Sequence, residues 1–290
     1  MSLVKKVVVA SALIGMAQSA SALVIDSVSS DGAALAGAIL GSGITISNVN
    51  YYGGSNQSGF FSDGRSVLGI DSGLIMTTGS AFEAPGPNNN SGATGNIGVG
   101  GGAGDSDLDA LIPQNTHDAA VLTFDFVSES DSLFFNYVFA SEEYNEYVNS
   151  TYNDVFAFFV DGVNIAKAPD GQTVSINNVN CGNPYSGAGP NCDVFNNNES
   201  SGSGPLYDIQ YDGFTNTLLA SITGLGEGIH TMKIAIADAG DSALDSAIFI
   251  EGGSFSSEEP APTPVSAPGS LALLMLGLGG LVASRKRVKA

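Results

Sequence analysis

Basic residues are scarce in this chain of 290 residues, which has nine Lys and Arg against 29 Asp and Glu. Most of the nine lie near the two ends, so Arg65, Lys167 and Lys233 are the basic residues of the long segment between them. A surface with so much uncompensated negative charge repels the phosphates of nucleic acids and the headgroups of anionic lipids. The composition therefore excludes nucleic acid as a partner, and it suits a medium rich in salt or divalent cations.

Histidine and cysteine are also rare, with two residues of each. His117 and His230 are far apart in the sequence, and no free cysteine pair accompanies them, which argues against a zinc site. Cys181 and Cys192 lie close together in a segment rich in Gly, Asn and Pro. In an oxidising compartment such a pair forms a local disulfide, and we predict one here.

The motifs of common hydrolases and nucleotide-binding enzymes are missing. The sequence has no Gly-x-Ser-x-Gly elbow for a nucleophilic serine. The glycine-rich run at residues 98–104 has no βαβ pattern around it and no Lys-Ser or Lys-Thr after it, so we predict a mobile surface loop at residues 86–104. Glu142 and Glu143 are adjacent, so in an extended segment they point to opposite faces and do not form the opposed pair of a glycosidase.

Two strongly apolar runs, residues 133–140 and 155–160, dominate what the sequence does contain. In both runs the apolar residues occupy both sets of alternating positions, so a strand formed here is buried on both faces. We predict two adjacent strands in the middle of a β-sandwich. The connection between them, residues 141–154, collects carboxylates and amides at one end of the core.

The rest of the central segment alternates short strand patterns with turns rich in Gly, Asn, Asp and Ser. Ser30 and Asp31 precede apolar residues spaced for one helical face, which predicts a single short helix that ends before Gly41. So many strands with so little helix predict an all-β domain, a β-sandwich or jelly roll, rather than an α/β enzyme fold. The other predicted strands cover residues 44–50, 58–62, 73–78, 119–126, 173–179, 206–211, 218–223, 229–238 and 246–255.

The two ends have the composition of targeting segments. Lys5 and Lys6 precede an apolar run and three small residues, a pattern typical of a secretory signal peptide over residues 1–22. At the other end a Pro-rich linker, residues 258–269, precedes an apolar run with a basic tail, residues 270–290. That run is shorter than the ~20 residues of an ordinary membrane-spanning helix, and its tail favours the cytoplasmic side. These boundaries leave residues 23–257 as one exported domain.

The sequence Val265-Ser266-Ala267-Pro268, followed by Leu-rich residues and an Arg/Lys tail, resembles a PEP-CTERM sorting signal. The family usually has Pro-Glu where Ser266 and Ala267 stand here, a departure that concerns the cleavage position more than the sorting. The resemblance implies a Gram-negative bacterium with an exosortase-type sorting enzyme as partner. The alternative is a C-terminal helix that stays embedded in the membrane. Both place the domain outside the cytoplasm.

Acidic residues gather in three clusters that offer hard oxygen ligands. The first, Asp105, Asp107 and Asp109, has an alternative explanation as turn and capping residues. The other two flank the most apolar strands with hardly a cation near in sequence, and crowded carboxylates do not all stay ionised without a counter-charge. Because Ca²⁺ takes about six to eight such oxygens, we predict a calcium site shared by residues 141–154 and 238–245. Its predicted ligands are Glu142, Glu143, Asp154, Asp238, Asp241 and Asp245.

Several motifs together resemble the bacterial choice-of-anchor L domain. They are Phe-Ala-Ser-Glu-Glu-Tyr ending at Tyr144, Tyr-Asn-Asp-Val-Phe ending at Phe156 and Ala-Asp-Ala-Gly-Asp-Ser-Ala-Leu-Asp-Ser ending at Ser246, with shorter matches at residues 73–79, 116–127, 178–181 and 212–215. The resemblance covers most of the central segment. It implies a secreted surface protein with an interchangeable C-terminal anchor, and it assigns no activity to any residue.

The sequence therefore predicts an exported, non-catalytic surface or matrix protein with a calcium-stabilised adhesion domain and extracellular polysaccharide as a partner. Two alternatives stay open, an extracellular hydrolase that uses Glu142, Glu143 or Asp154, and a passive coat protein. A hydrolase needs carboxylates with separated pKa values in a cleft, whereas a binding domain needs exposed aromatic rings. The candidate sugar-stacking residues are Tyr51, Tyr52, Tyr144, Tyr147, Tyr152 and Tyr185.

Overall fold

The computed structural model describes residues 22–199 and 206–260. These residues form two antiparallel sheets that pack face to face, which confirms the predicted all-β sandwich. In chain order the strands are β1 (Val24–Val28), β2 (Ile44–Tyr52), β3 (Ser58–Ser62), β4 (Gly73–Thr77), β5 (Thr116–Ser128), β6 (Ser132–Ser141), β7 (Val155–Val160), β8 (Val163–Asn164), β9 (Phe195–Asn197), β10 (Gly213–Thr215), β11 (Leu218–Thr223), β12 (His230–Ala239) and β13 (Ser246–Glu251).

Strand β6 is the centre of the first sheet, which has the order β1-β3-β4-β13-β6-β10-β9. Because β6 is long, its first part pairs with β11 and its last two residues pair with β10. Strand β13 runs along its other edge. The second sheet has the order β2-β5-β12-β7-β8.

Aromatic side chains of β6 and β7 fill the interior between the sheets. Phe135 and Phe158 are fully buried, and their ring centroids lie 4.6 Å apart in an edge-to-face arrangement. Such a pair contributes about 0.5–1.5 kcal/mol beyond the burial of its surface. The two strands predicted in the middle of the sandwich are therefore adjacent across its interior, one in each sheet, and residues 142–154 cross from one sheet to the other.

The opposite face of the first sheet is also buried, which explains why β6 is apolar on both sides. Val138 and Ala140 point away from the second sheet and pack with Phe214 of β10 and Phe249 of β13. Irregular chain that includes Ala81, Ala84, Ile209 and Tyr211 covers this face. Because these side chains exclude water, polar groups at the end of this face lie in a dry environment.

The predicted short helix is α1 (Gly32–Ile39). Asp31 caps it, since its side chain accepts hydrogen bonds from the backbone N–H groups of Ala33 and Ala34. The described residues also include two one-turn helices, α2 (Arg65–Leu68) and α3 (Ser106–Asp109), so the prediction of a single helix is wrong. Four residues are too few to display helical periodicity in a sequence.

Two predicted strands are wrong, at residues 173–179 and residues 206–211, which form isolated bridges instead. Asparagine side chains form hydrogen bonds with backbone groups of both segments. Nδ2 of Asn180 donates to the carbonyl oxygen of Ile176 at 3.0 Å, and Oδ1 of Asn198 accepts from the backbone N–H of Tyr207 at 2.8 Å. Such bonds compete with strand pairing, and a periodicity argument does not count them.

The disulfide between Cys181 and Cys192 is confirmed. The predicted targeting segments lie almost wholly outside the described residues, which include residue 22 of the predicted signal peptide and residues 258–260 of the predicted linker. No helix within the described part of the chain is long and apolar enough to cross a membrane.

Candidate metal site

The end of β6 determines where the acidic residues lie. The last residue of β6 is paired with the first residue of β10 on one side and with the first residue of β13 on the other. Extending this register by one residue places Glu142 between Asp212 and Asp245. The backbone N–H of Glu142 donates to the carbonyl oxygen of Asp245 at 3.0 Å, as the register requires.

Directly opposed residues of antiparallel strands point to the same face of a sheet. The three carboxylates share the face of Ala140, Phe214 and Ala247, each two residues further into its strand, and this face is turned away from the second sheet. All three are buried. We call this set the outer acidic row: Asp245, Glu142 and Asp212.

Asp245 occupies space that two glycines leave open. A Cβ atom on Gly79, which follows β4, would lie 1.6 Å from Oδ2 of Asp245. The same oxygen accepts a hydrogen bond of 2.5 Å from the backbone N–H of Gly95. Burial raises the pKa of Asp245 to about 7, and this hydrogen bond limits the rise because it favours the ionised form.

Glu142 is fully buried in the middle of the row, and neither of its carboxylate oxygens has a hydrogen-bond partner. Burial, reinforced by the charge of Asp212, raises the pKa of Glu142 to about 9. The Gln210 side chain and the Ala93 backbone lie near enough to oppose the rise, although neither makes a hydrogen bond of good geometry. An ionised Glu142 therefore requires a positive partner.

Asp212 is held by part of the glycine-rich segment that was predicted to be a mobile surface loop. Its Oδ1 accepts a hydrogen bond of 2.5 Å from Nδ2 of Asn88, a residue only 2% exposed. Its Oδ2 has no partner. Burial raises the pKa of Asp212 to about 7, although the Asn88 hydrogen bond opposes the rise. Residues 86–104 are therefore in part a cover over the outer acidic row.

Two further carboxylates lie on the other side of the first sheet's backbone, between the two sheets. We call them the inner acidic pair: Asp154 and Asp238. Oγ of Ser246 donates to Oδ2 of Asp154 at 2.6 Å, and the backbone N–H of Ala239 donates to Oδ1 at 3.0 Å. Neither carboxylate oxygen of Asp238 makes a hydrogen bond of good geometry, although the Thr78 side chain lies near enough to oppose the rise in its pKa. The inner pair therefore resembles the outer row in that buried acceptor atoms outnumber the donors.

The inner pair is electrostatically costly when both members are ionised. Burial raises the pKa of Asp154 to about 7. Burial also raises the pKa of Asp238 well above its usual value, and the nearby charge of Asp154 adds to this rise. Two buried carboxylates this close do not both ionise unless a proton or a cation neutralises one charge.

Glu143 and Asp241 lie beside the inner pair but differ in exposure. Glu143 is buried, one of its oxygens has no partner, and burial together with the charges of Asp154 and Asp241 raises its pKa to about 9. Asp241 is partly exposed and accepts a hydrogen bond from the backbone N–H of Ala243 in its own turn. Asp241 therefore lies at the rim of the site.

The backbone of the first sheet divides the six predicted ligands, although all of them lie at one end of the sandwich. The outer side has Glu142 and Asp245, and the inner side has Asp154, Asp238, Glu143 and Asp241. Sequence reasoning missed Asp212, Asn88 and Gln210, which are distant from the acidic clusters along the chain. The short match at residues 212–215 was the one signal that pointed to Asp212.

The remaining acidic cluster is explained by capping and ion pairing. Asp105 caps α3 through its side chain, and Asp109 accepts a hydrogen bond from Thr116. Nζ of Lys233 lies 2.7 Å from Asp105 and 2.6 Å from Asp107. These residues use their carboxylates within the fold, which confirms the turn-and-cap explanation.

Within the described residues, no basic side chain forms an ion pair with the buried carboxylates, although His117 of β5 is the residue paired with Asp238 of β12. Ion pairs within residues 22–199 and 206–260 involve Asp71, Asp105, Asp107 and Asp161 instead. Over the same residues, no group of three or more His, Cys, Asp or Glu side chains is arranged to hold a metal ion. A cation here would need amide and carbonyl oxygens in addition to carboxylates, and Ca²⁺ accepts all three kinds of ligand.

The tyrosines offer less stacking surface than the sequence suggested. Tyr144 is fully buried, so it is unavailable to a sugar ring. Tyr147 and Tyr152 are partly buried against each other, with ring centroids 5.2 Å apart. Tyr52 and Tyr185 are about half exposed, at 47% and 49%.

The fold and the site define an antiparallel β-sandwich with carboxylates buried at one end. A family model described as the choice-of-anchor L domain matches residues 25–256. The chain belongs to this family, which indicates a surface-associated protein. Comparison with the curated proteins gives no match, and comparison with the solved structures gives none either.

Proposed function

We propose that this chain is an exported cell-surface or matrix protein whose choice-of-anchor L domain is a non-catalytic binding module stabilised by calcium. The observation that carries the proposal is the inner acidic pair. Asp238 is 1% exposed and neither of its oxygens makes a hydrogen bond of good geometry, while Asp154 beside it is equally buried. A cation between the two sheets neutralises the pair and joins the sheets at that end.

Calcium fits this position better than other cations. The groups at this position are the carboxylates of Asp154, Asp238 and Glu143 and the hydroxyl of Ser246, and hard cations prefer such oxygen ligands. Mg²⁺ demands a strict octahedral arrangement, whereas Ca²⁺ tolerates irregular sets of ligands. An exported protein also meets the concentrations at which weak extracellular calcium sites, with a Kd of about 10⁻⁴–10⁻³ M, are occupied.

The proposal includes sorting by an exosortase-type enzyme in a Gram-negative bacterium. It rests on the composition of residues 1–22 and 265–290, which lie almost wholly outside the described part of the chain. The choice-of-anchor L domain between them is consistent with surface attachment through such a tail. Extracellular polysaccharide is the proposed partner, with Tyr52 and Tyr185 as the more exposed candidates for stacking.

The hydrolase alternative uses the same carboxylates as general acid and base. Glu142, Glu143 and Asp154 are each at most 1% exposed, and a polymeric substrate must touch the groups that cleave it. The proposal therefore assigns their raised pKa values to burial and to neighbouring carboxylates, and it gives these groups a role in cation binding rather than in proton transfer. A passive coat role requires neither a cation nor a ligand.

Thermal unfolding in calcium and in chelator tests the calcium part of the proposal. At a Kd near 10⁻⁴ M, ~10 mM calcium adds roughly 2.7 kcal/mol, or about 5–10 °C of melting temperature for a domain of this size. Asp154→Asn keeps the shape of the side chain and one acceptor oxygen for the backbone N–H of Ala239, but it removes the charge, so it should abolish most of this gain. Asp193→Asn, at an exposed position of the same residue type, is the matched control.

Equal melting temperatures in calcium and in chelator would contradict the calcium-stabilised module. A glycan array in calcium and in chelator then tests the binding part. Calcium-dependent retention of a polysaccharide supports a binding module, whereas turnover of the glycans supports the hydrolase. If the array shows no retention and no turnover, the result supports the coat role.

A further inference from the structure

Strand β11 (Leu218–Thr223) is an edge of the first sheet. It pairs with β6 on one side, and no strand among the described residues pairs with its other side. The strand has six residues in a regular register, with no proline and no charged side chain. Such an edge presents unpaired backbone N–H and C=O groups to any other strand, and most proteins protect their edges against this.

The other edges of the two sheets have the usual protection. In the first sheet, β1 contains Asp26 and an irregular register between Ile25 and Ser27, and β9 has only three residues. In the second sheet, β2 has an irregular register between Ser47 and Asn50, and β8 has only two residues. Bulges, charges and short length each discourage pairing with another chain. Strand β11 therefore differs from the other sheet edges in the described part of the chain.

The register on β6 shows which backbone groups of β11 face outward. The backbone N–H and C=O of Phe134 both bond Ser256, on the β13 side of β6. Backbone groups alternate between the two sides of a strand, so the odd-numbered residues of β6 bond β11 and their partners are the even-numbered residues of β11. The residues whose backbone groups face outward are Leu219, Ser221 and Thr223.

The side chains at this edge are uncharged and incompletely covered. Leu219 is 42% exposed, and Leu218 and Ile222 stay partly exposed although they pack against the core between the sheets. Residues 213–226 contain no charged residue, in a chain whose formal net charge is −20. A strand that covered this edge would therefore remove apolar surface from water without burying a charge.

The charge of the protein favours a second copy of the chain as the occupant of this edge. A basic partner would gain most at the acidic surfaces, whereas a second acidic copy is repelled there and approaches most easily at an uncharged edge. The chain after residue 260 is a poor strand partner, because Pro262, Pro264 and Pro268 have no N–H to donate. A contact of β11 with itself also closes after two copies, as an isologous interface does.

We propose that β11 pairs with β11 of a second copy, antiparallel and about a two-fold axis at Ser221. Ser221 then lies opposite the partner's Ser221, and Leu219 lies opposite the partner's Thr223. In this register each outward N–H and C=O of the three residues meets a matching group, and the first sheets of the two copies form one continuous sheet. The pairing is independent of the calcium-stabilised module, because no carboxylate of the acidic end takes part.

Exposed acidic residues flank the uncharged strand at both ends. The carbonyl oxygen of Asp131 accepts from the backbone N–H of Leu225 at one end, and the carbonyl oxygen of Asp193 accepts from Nδ2 of Asn216 at the other. The two-fold axis brings Asp193 of one copy toward the partner's Asp131. Repulsion between these residues should weaken the pairing at low salt, and added salt should strengthen it by screening.

Sedimentation equilibrium of the exported protein, in calcium and in chelator, tests the pairing. The mass should rise with concentration toward twice that of one chain, and high salt should lower the concentration required. Ser221→Lys should raise the dissociation constant about tenfold, because two like charges then face each other on the axis. Ser221→Glu should do the same for the same reason. An equimolar mixture of the two variants should associate at least as tightly as the native chain, because opposite charges then face each other.

Ser47→Lys is the matched control, because it adds the same charge at an exposed position of the protected edge strand β2. It should associate as the native chain does. The chains compared have identical ends, so association through the terminal segments would not respond to a change at Ser221. Both variants at Ser221 should keep the native circular dichroism spectrum, because the residue is exposed and its backbone groups do not bond β6.

The outcomes separate this pairing from other contacts. A native chain that stays monomeric at every concentration would overturn the proposal, even if β11 bound a different exported protein. Association that neither Ser221→Lys nor Ser221→Glu weakens would place the contact elsewhere and would also overturn it. Dimers that return in the mixture of the two variants support the antiparallel register, and their absence would contradict it.

Discussion

Oδ2 of Asp154 accepts a hydrogen bond of 2.6 Å from Oγ of Ser246, and this contact joins the two sheets at the acidic end of the sandwich. Asp154 immediately precedes β7 of the second sheet, and Ser246 is the first residue of β13 in the first sheet. Both residues are buried. A hydroxyl-to-carboxylate hydrogen bond of this kind contributes about 1.5–3 kcal/mol.

Ser246→Ala should therefore lower the free energy of unfolding by about 1.5–3 kcal/mol in chelator, because the substitution leaves a buried carboxylate oxygen without its donor. Urea denaturation measures the change. Ser221→Ala on β11 removes an exposed hydroxyl from the same sheet and should stay within about 0.5 kcal/mol of the native chain. If both substitutions lowered the free energy of unfolding equally, the hydrogen bond between Ser246 and Asp154 would not stabilise the fold more than an exposed hydroxyl does.

The second prediction concerns the glycine beside the outer acidic row. A Cβ atom on Gly79 would meet Oδ2 of Asp245 at 1.6 Å, so Gly79→Ala must displace the carboxylate from its hydrogen bond with Gly95. We expect a loss of about 1–3 kcal/mol, as for other overpacked positions. Circular dichroism during thermal unfolding measures it.

Gly37 is the matched control for that experiment. It lies exposed within α1, and a Cβ atom there would meet nothing within 4 Å. Gly37→Ala should stabilise the protein by about 0.5–1 kcal/mol, because alanine loses less backbone freedom in a helix. The explanation is wrong if Gly79→Ala is tolerated as well as Gly37→Ala.

Features that depend on local sequence were predictable. The strand at residues 58–62 and the strand at residues 218–223 match their predicted bounds, because alternation and flanking turn residues are local signals. The N-cap at Asp31 and the disulfide were predictable for the same reason. Each of these depends on residues within about a dozen positions of one another.

The layout of the acidic site depends on strand register, which the sequence alone does not specify here. Asp212 joins Glu142 because β10 pairs with the last two residues of β6, more than fifty residues earlier in the chain. The same register separates Glu142 from Asp154, although both belong to the connection predicted to form one site. A one-residue shift in pairing would reverse the face of each carboxylate, so clustering along the chain could not show that the six predicted ligands lie on two sides of the first sheet.

A third prediction concerns attachment to the cell. Deleting residues 268–290 should release the domain into the medium, because this segment contains the apolar run and the basic tail of the proposed sorting signal. Fractionation of cells that express the intact and the shortened chains measures this. Equal retention of both chains on the cells would show that attachment lies elsewhere.

The last prediction uses the pair formed by Asp161 and His230, the first residue of β12, which lies at the opposite end of that strand from Asp238. Nδ1 of His230 lies 2.7 Å from Oδ2 of Asp161. This hydrogen bond, helped by the carbonyl oxygen of Gly226, raises the pKa of His230 above 6.5. Burial alone would raise the pKa of Asp161, but hydrogen bonds from His230 and Thr231 hold it below 3.8.

The pair is stabilising where both members are charged. The contribution of His230 is complete below its unfolded pKa of 6.5 and is lost as the pH rises through its higher folded pKa. The contribution of Asp161 is complete above its unfolded pKa of 3.8 and is lost as the pH falls through its lower folded pKa. The full effect therefore falls between these two unfolded values.

Asp161→Asn tests this window, because asparagine tolerates the positive φ of 49° and keeps an acceptor for the backbone N–H of Thr231. Asp161 is half exposed, so the loss is modest, about 1–3 °C of melting temperature near pH 5.5 and less near pH 8.5. Melting curves across this range measure it, with His230→Gln expected to show the same pH dependence. A loss of equal size at both pH values would assign the effect to shape rather than charge.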